Sequence, residues 1–228
     1  MKPLLLLHGA IGSSNQLQPL AGKLANSYQI HLLDISGHGG NSSSADAFSI
    51  ELFAADVLTY MDSKGLDKVS IFGYSMGGYV GMYLAKHHPE RVERLATLAT
   101  KYHWDPAIAA REIQMLNPEK IEQKLPAFAE TLKQRHAPAD WKAVLAKTVE
   151  MMIAMGNNNP LSSSDFAGIN TPSLIMLGDR DKMVSLEETV NVYKALPAAE
   201  LCILPATSHP IEQVNIDLLA FLLSRVMV

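Results

Sequence analysis

A three-layer α/β/α fold is predicted, with a mainly parallel sheet of about six strands and a helical lid inserted after the fourth. Three observations predict it. Short apolar runs recur along the chain, longer stretches of helical spacing separate them, and one long segment between the fourth and fifth runs carries no strand pattern.

The apolar runs are residues 4–7, 30–33, 69–72, 95–98, 174–177 and 201–204. They are continuously apolar rather than alternating, as expected of parallel strands covered on both faces. Helical spacing marks residues 15–26, 50–63, 76–88, 186–195 and 211–226. Repeated strand-then-helix units imply a parallel sheet with helices on its faces, and such sheets bind ligands at the carboxyl ends of their strands. Residues 103–169 break the rhythm. They hold both tryptophans, Trp104 and Trp141, and four prolines spaced to separate short helices, Pro106, Pro118, Pro126 and Pro138. A structureless loop of that length does not suit a compact domain, so a helical lid over the strand ends is expected. The 228 residues then divide into a core of 1–102 with 170–228, and an inserted subdomain of 103–169.

Composition narrows the function classes. The chain is 48% hydrophobic and 18% charged, with a net charge of -4, and offers no basic field for nucleic acid or an anionic membrane surface. No apolar run approaches the ~20 residues of a membrane span, and the four leucines before His8 are too few for a signal peptide. The lone Cys202 cannot form an internal disulfide and reads as a small core residue in the run 201–204. A cytoplasmic protein is expected. A homodimer is left open, with no sequence feature to support it.

The central chemical signal is Gly73-Tyr74-Ser75-Met76-Gly77, which closes the third strand and opens the third helical stretch. A serine on so sharp a turn is held in a strained conformation that exposes its hydroxyl, and the flanking positions must be small. The helix N-terminus below it favours developing negative charge. In strand–turn–helix context the motif assigns Ser75 as a nucleophile. Its base must lie at another strand end. Among eight histidines, His209 fits, in the loop 205–210 between the last strand and the last helix. Asp179 and Asp181 both follow the fifth strand, and both satisfy the chain order Ser…Asp…His. The residues alone do not choose between them. The aspartate that does not orient His209 would cap a turn or helix, or pair with Arg180 or Lys182.

Backbone N–H groups of Met76 and Ala10 are the expected oxyanion donors, the latter in the glycine-bearing loop His8-Gly9-Ala10-Ile11-Gly12. His8 itself is expected to brace that loop. Tyr74, Trp104 and Met151 are candidates for the substrate pocket. No His/Cys/Asp/Glu spacing suggests zinc, and Gly37-His38-Gly39-Gly40 lacks the lysine of a phosphate loop, so neither metal nor cofactor is expected.

Four spaced motifs resemble the α/β-hydrolase fold family over nearly the whole chain. They are Leu6-Leu7-His8-Gly9, the D-x-x-G-x-G-x-S-like stretch from Asp34 to Ser42, the Gly73–Gly77 turn, and His209 before the C-terminal helix. The resemblance adds three expectations. Its G-x-x-D acid loop selects Asp181 over Asp179. The chain starts almost at the His-Gly strand, without the hairpin that often precedes it, so the sheet should be small. The helical lid is where the family places substrate selection. The expected activity is hydrolysis of a small ester, thioester or related acyl substrate through acyl-Ser75, rising with pH as His209 loses its proton. Carbon–carbon hydrolysis or a lyase step on a carbonyl acid uses the same residues. A low-turnover small-molecule receptor is the alternative from another class.

Overall fold

A computed structural model describes residues 1–41 and 47–227. Ser42, the last residue of the second motif, and the serine run it opens fall among the remainder. In chain order the elements are β1 (Lys2–Leu7), α1 (Gln18–Leu24), β2 (Tyr28–Leu33), α2 (Ile50–Ser63), β3 (Val69–Tyr74), α3 (Met76–His87) and β4 (Val92–Leu98). Then come α4 (Pro106–Glu112), α5 (Pro118–Lys124), α6 (Pro126–His136) and α7 (Trp141–Asn157), followed by β5 (Ser173–Gly178), α8 (Leu186–Ala195), β6 (Ala199–Leu204) and α9 (Ile216–Val226). The six strands form one sheet in the order β2-β1-β3-β4-β5-β6, with every neighbouring pair parallel.

The unbroken run of leucines in β1 shows why these strands are apolar on both faces. Leu4 and Leu6 pack with Leu20 and Leu24 of α1 and Leu219 and Leu223 of α9. Leu5 and Leu7 point the other way, into a cluster with Phe53 and Val57 of α2 and Val80 and Leu84 of α3. Each strand thus serves two helical layers.

Four α-helices occupy the connection from β4 to β5. Pro106, Pro118 and Pro126 each stand in the first turn of a helix, where a missing N–H costs no intrahelical bond. These helices enclose a small core of their own, Leu116, Ile121, Leu132, Trp141 and Leu145. The opposite side of α7 sends Val144, Met151 and Met155 into the body of the protein. No helix among the described residues is long and apolar enough to cross a membrane.

Two elements differ from the sequence pattern. The stretch 15–26 is split into a 3-10 turn, Ser14–Leu17, and a helix that starts only at Gln18. The stretch 211–226 is likewise a 3-10 turn, Ile211–Gln213, followed by a fresh start at Ile216. There the Asn215 side chain accepts the Leu218 N–H at 3.0 Å, and this cap interrupts what periodicity reads as continuous. Cys202 is half-buried rather than buried, because β6 is the edge strand.

Candidate active site

Ser75 stands between β3 and α3 with φ 51° and ψ -116°. A non-glycine residue in that region costs on the order of 1–3 kcal/mol and persists only where its surroundings over-determine it. Here the Ser75 N–H donates to Leu98 O at 2.8 Å, and its carbonyl accepts from Gly78 N and Thr100 Oγ1, each at 3.0 Å. The turn has no spare room. A Cβ on Gly77 would lie 2.6 Å from His8 O, and one on Gly73 would collide with the Gly77 backbone.

The loops after β5 and β6 are laced to each other. Asp179 N donates to Leu204 O at 3.0 Å, Arg180 N to Thr207 O at 2.9 Å, and Thr207 N to the Asp179 carboxylate at 3.0 Å. Asp179 is therefore occupied in holding the loop that carries His209. The Thr207 and Ala206 N–H groups keep its carboxyl below the usual range. Asp181 does something different. Its Oδ2 lies 2.8 Å from His209 Nδ1, while Oδ1 accepts the Met183 and Val184 N–H groups at 2.8 and 2.9 Å. Burial pushes the Asp181 carboxyl up, but His209 and the two N–H groups outweigh it and leave the net shift downward. A carboxylate on Nδ1 makes that nitrogen the donor and leaves Nε2 as the proton acceptor. Tyr74 adds a tether, its hydroxyl donating to His209 O at 3.0 Å.

The loop after β1 is braced from both sides. His8 is buried, which lowers its pKa to about 4 and keeps it neutral. Its Nδ1 contacts Gly9 O at 2.8 Å, and its Nε2 accepts the Ile35 N–H at 3.4 Å. His8 is thus a brace, as expected. Ile11 has φ 52°, a rare conformation for a β-branched residue. Its carbonyl receives Arg135 Nη1 at 3.0 Å and His136 Nε2 at 3.1 Å, so α6 reaches down to pin this loop. Among the described residues, the N–H groups of Ala10 and Met76 have no hydrogen-bond partner.

Two cavities meet at Ser75. One, of about 260 Å³, is shared by Ser75, His209, Ala10 and Tyr74, with an apolar wall that includes Met115, Phe128 and Met152. The other, of about 50 Å³, lies toward Met76 and is lined by Trp104, Met151 and Met155. The expected nucleophile, base, oxyanion donors and pocket residues thus gather at one rim of the sheet. The contributions of Arg135 and His136 to the Ile11 loop escaped the sequence reading. They sit in the helical insertion with no local motif, and only the fold shows what they touch. No cluster that could hold a metal ion is present among the described residues.

A parallel sheet with a strained serine, an imidazole on a carboxylate and two free N–H groups at its carboxyl rim defines a hydrolase-type α/β protein. Residues 2–152 match the family model of the alpha/beta hydrolase fold, and the chain belongs to that family. Lipase 3 of Moraxella sp. is 24% identical over 91% of this chain and 71% of its own length. Solved structures of similar fold include the enol-lactonase from Burkholderia xenovorans, with TM-score 0.81 and 19% identity over 99% of this chain and 90% of that one. Another is a thermophilic esterase from Thermogutta terrifontis, with TM-score 0.77 and 21% identity over 100% and 91%. At such identities the structural likeness speaks for the fold alone.

Proposed function

We propose that this enzyme hydrolyses a small ester, thioester or related acyl compound with Ser75 as nucleophile, His209 as base and Asp181 as the group that orients His209. The observation that carries the reading is the 2.8 Å bond from His209 Nδ1 to Asp181, made by an imidazole that shares a cavity with Ser75.

As Ser75 Oγ attacks the carbonyl carbon, His209 Nε2 takes its proton and the carbonyl oxygen becomes an oxyanion. The free N–H groups of Ala10 and Met76 meet that charge, each such donor being worth about 2.7–4 kcal/mol of barrier. The bond to the leaving group then breaks, and His209 returns the proton to it. Water attacks acyl-Ser75, gives a proton to Nε2, and the acid departs as Ser75 Oγ regains its hydrogen. The leaving group must reach His209, so it occupies the 260 Å³ cavity. The acyl group turns toward the smaller pocket beside Met76. Each assignment follows from which cavity holds His209.

A second reading, carbon–carbon hydrolysis of a carbonyl acid, draws on Arg135. Its side chain is 12% exposed and lines the larger cavity, paired at 3.5 Å with a Glu212 that is 54% exposed. A substrate carboxylate could displace that partner. The test is labelling of Ser75 by an active-site phosphonate, together with turnover of chromogenic esters and a vinylogous diketone. Ser75→Ala should lose labelling and lower turnover by roughly 10³ or more while staying folded. Normal ester hydrolysis by that variant refutes the mechanism.

A further inference from the structure

A cavity larger than the ones that hold Ser75 lies elsewhere among the described residues. It measures about 720 Å³, lies between the insertion and α8, and is lined in part by the apolar Ile108, Leu161, Phe166, Val184 and Val192. It shares one lining residue with the small pocket beside Ser75, namely Lys101, and one with the leaving-group cavity, namely Met183. Those two residues are joined, Lys101 Nζ donating to Met183 O at 2.5 Å. Glu112 completes the strut, its Oε1 3.5 Å from the Lys101 ammonium, with the two side chains only 5% and 10% exposed. The Trp104 indole N–H fixes the Lys101 backbone from the other side, at 3.2 Å from its carbonyl oxygen.

We infer that Lys101, tethered to Met183, is the end wall of the acyl pocket and sets the longest acyl group this enzyme accepts. The inference rests on Ser75 being the acylated nucleophile. A water-sized group occupies roughly 10–15 Å³ of such space. The 50 Å³ pocket therefore holds about four heavy atoms, a butyryl-length chain or shorter. Behind the wall, the 720 Å³ chamber has room for a chain several times longer. A lysine suits this partition. Its stem fills the gap between the two spaces, and a buried ammonium tied to a carboxylate and a carbonyl is costly to displace. An acyl chain too weakly bound to break those contacts is turned back.

The experiment compares kcat/KM for p-nitrophenyl acetate, butyrate and octanoate in the wild type, Lys101→Ala and Lys101→Met. A hydrophobic pocket that gains or loses one methylene of space changes specificity by about 10–200-fold. The wild type is expected to favour butyrate over octanoate by at least about tenfold. Lys101→Ala should raise the octanoate-to-butyrate ratio by about tenfold or more. Lys101→Met keeps most of the bulk but loses the ties to Met183 and Glu112, and should raise the ratio less than Lys101→Ala does. If Lys101→Ala does not fold, Lys101→Ala/Glu112→Gln removes the carboxylate that would be left with less compensation and carries the same expectation. An unmoved ratio in the alanine variant, a wild type indifferent to chain length, or an equal shift in Lys101→Met overturns the wall. Acetate turnover that depends on Ser75 keeps the acyl-enzyme reading intact in those cases. No Ser75-dependent hydrolysis of any ester overturns both.

Discussion

Replacing Asp181 by asparagine isolates the carboxylate's contribution, because the two side chains have the same shape. The asparagine Oδ1 can still accept the Met183 and Val184 N–H groups, now at 2.8 and 2.9 Å from the carboxylate. What changes is the side facing His209. An amide N–H₂ placed 2.8 Å from Nδ1 demands an acceptor there, so the ring proton moves to Nε2 and the base can no longer take the hydrogen of Ser75. In a Ser-His-Asp arrangement that swap lowers kcat by about 10⁴, or about 5 kcal/mol of barrier. The effect on folding is smaller. A hydrogen bond to a charged group contributes about 1.5–3 kcal/mol, and its neutral replacement retains part of that. Stopped-flow and steady-state assays on a chromogenic ester, alongside urea unfolding, separate the two effects. Asp179→Asn is the control, since its Oδ1 can still accept the Thr207 N–H, and it should cost less than tenfold in kcat. If Asp179→Asn is the more damaging variant, or if Asp181→Asn is within tenfold of the wild type, the assignment of the acid is wrong.

Two further predictions concern the scaffold. Gly77→Ala drives a Cβ to within 2.6 Å of His8 O. It should destabilise the protein by about 1–3 kcal/mol and reduce kcat, because the displaced turn carries the Met76 N–H; a variant with unchanged melting temperature and kcat contradicts the tight-turn account. His8 is the subject of the other. Burial holds its pKa at about 4, below the ordinary 6.5, so the unfolded chain binds its proton first as pH falls. Stability should therefore decline on acidification from about pH 6.5 toward 4, by the order of a few kcal/mol, with the lowered His38 and His136 acting in the same direction. Melting temperatures that stay flat across this window refute it.

The layered fold was legible because hydrophobic patterning reports it directly. The leucines of β1 face two helical layers, and a sequence with both faces apolar can say little else. Ser75 was legible because a strained turn demands its own glycines. The choice between Asp179 and Asp181 was not, on residues alone. Both lie in one turn, and only the register of two loops decides which carboxylate points at Thr207 and which at His209. The splits before α1 and α9 were hidden for a related reason: a 3-10 turn and a helix share nearly the same apolar spacing. Lys101 was the least visible. Its place depends on α4, α7 and the β5 loop arriving together, a long-range arrangement with no local period.

The proposed acid and base follow strands β5 and β6, and the proposed nucleophile follows β3, so the ladder from β3 through β4 to β6 fixes their relative positions. The helical excursion leaves that ladder after β4 and rejoins it at β5 without supplying Ser75, Asp181 or His209. On the proposed reading the reacting side chains come from the sheet's loops, while the excursion supplies Met115, Phe128 and Met152 to the cavity that Ser75 and His209 share. A change in the excursion therefore reshapes the cavity wall, and through Arg135 and His136 it also reaches the loop that carries Ile11.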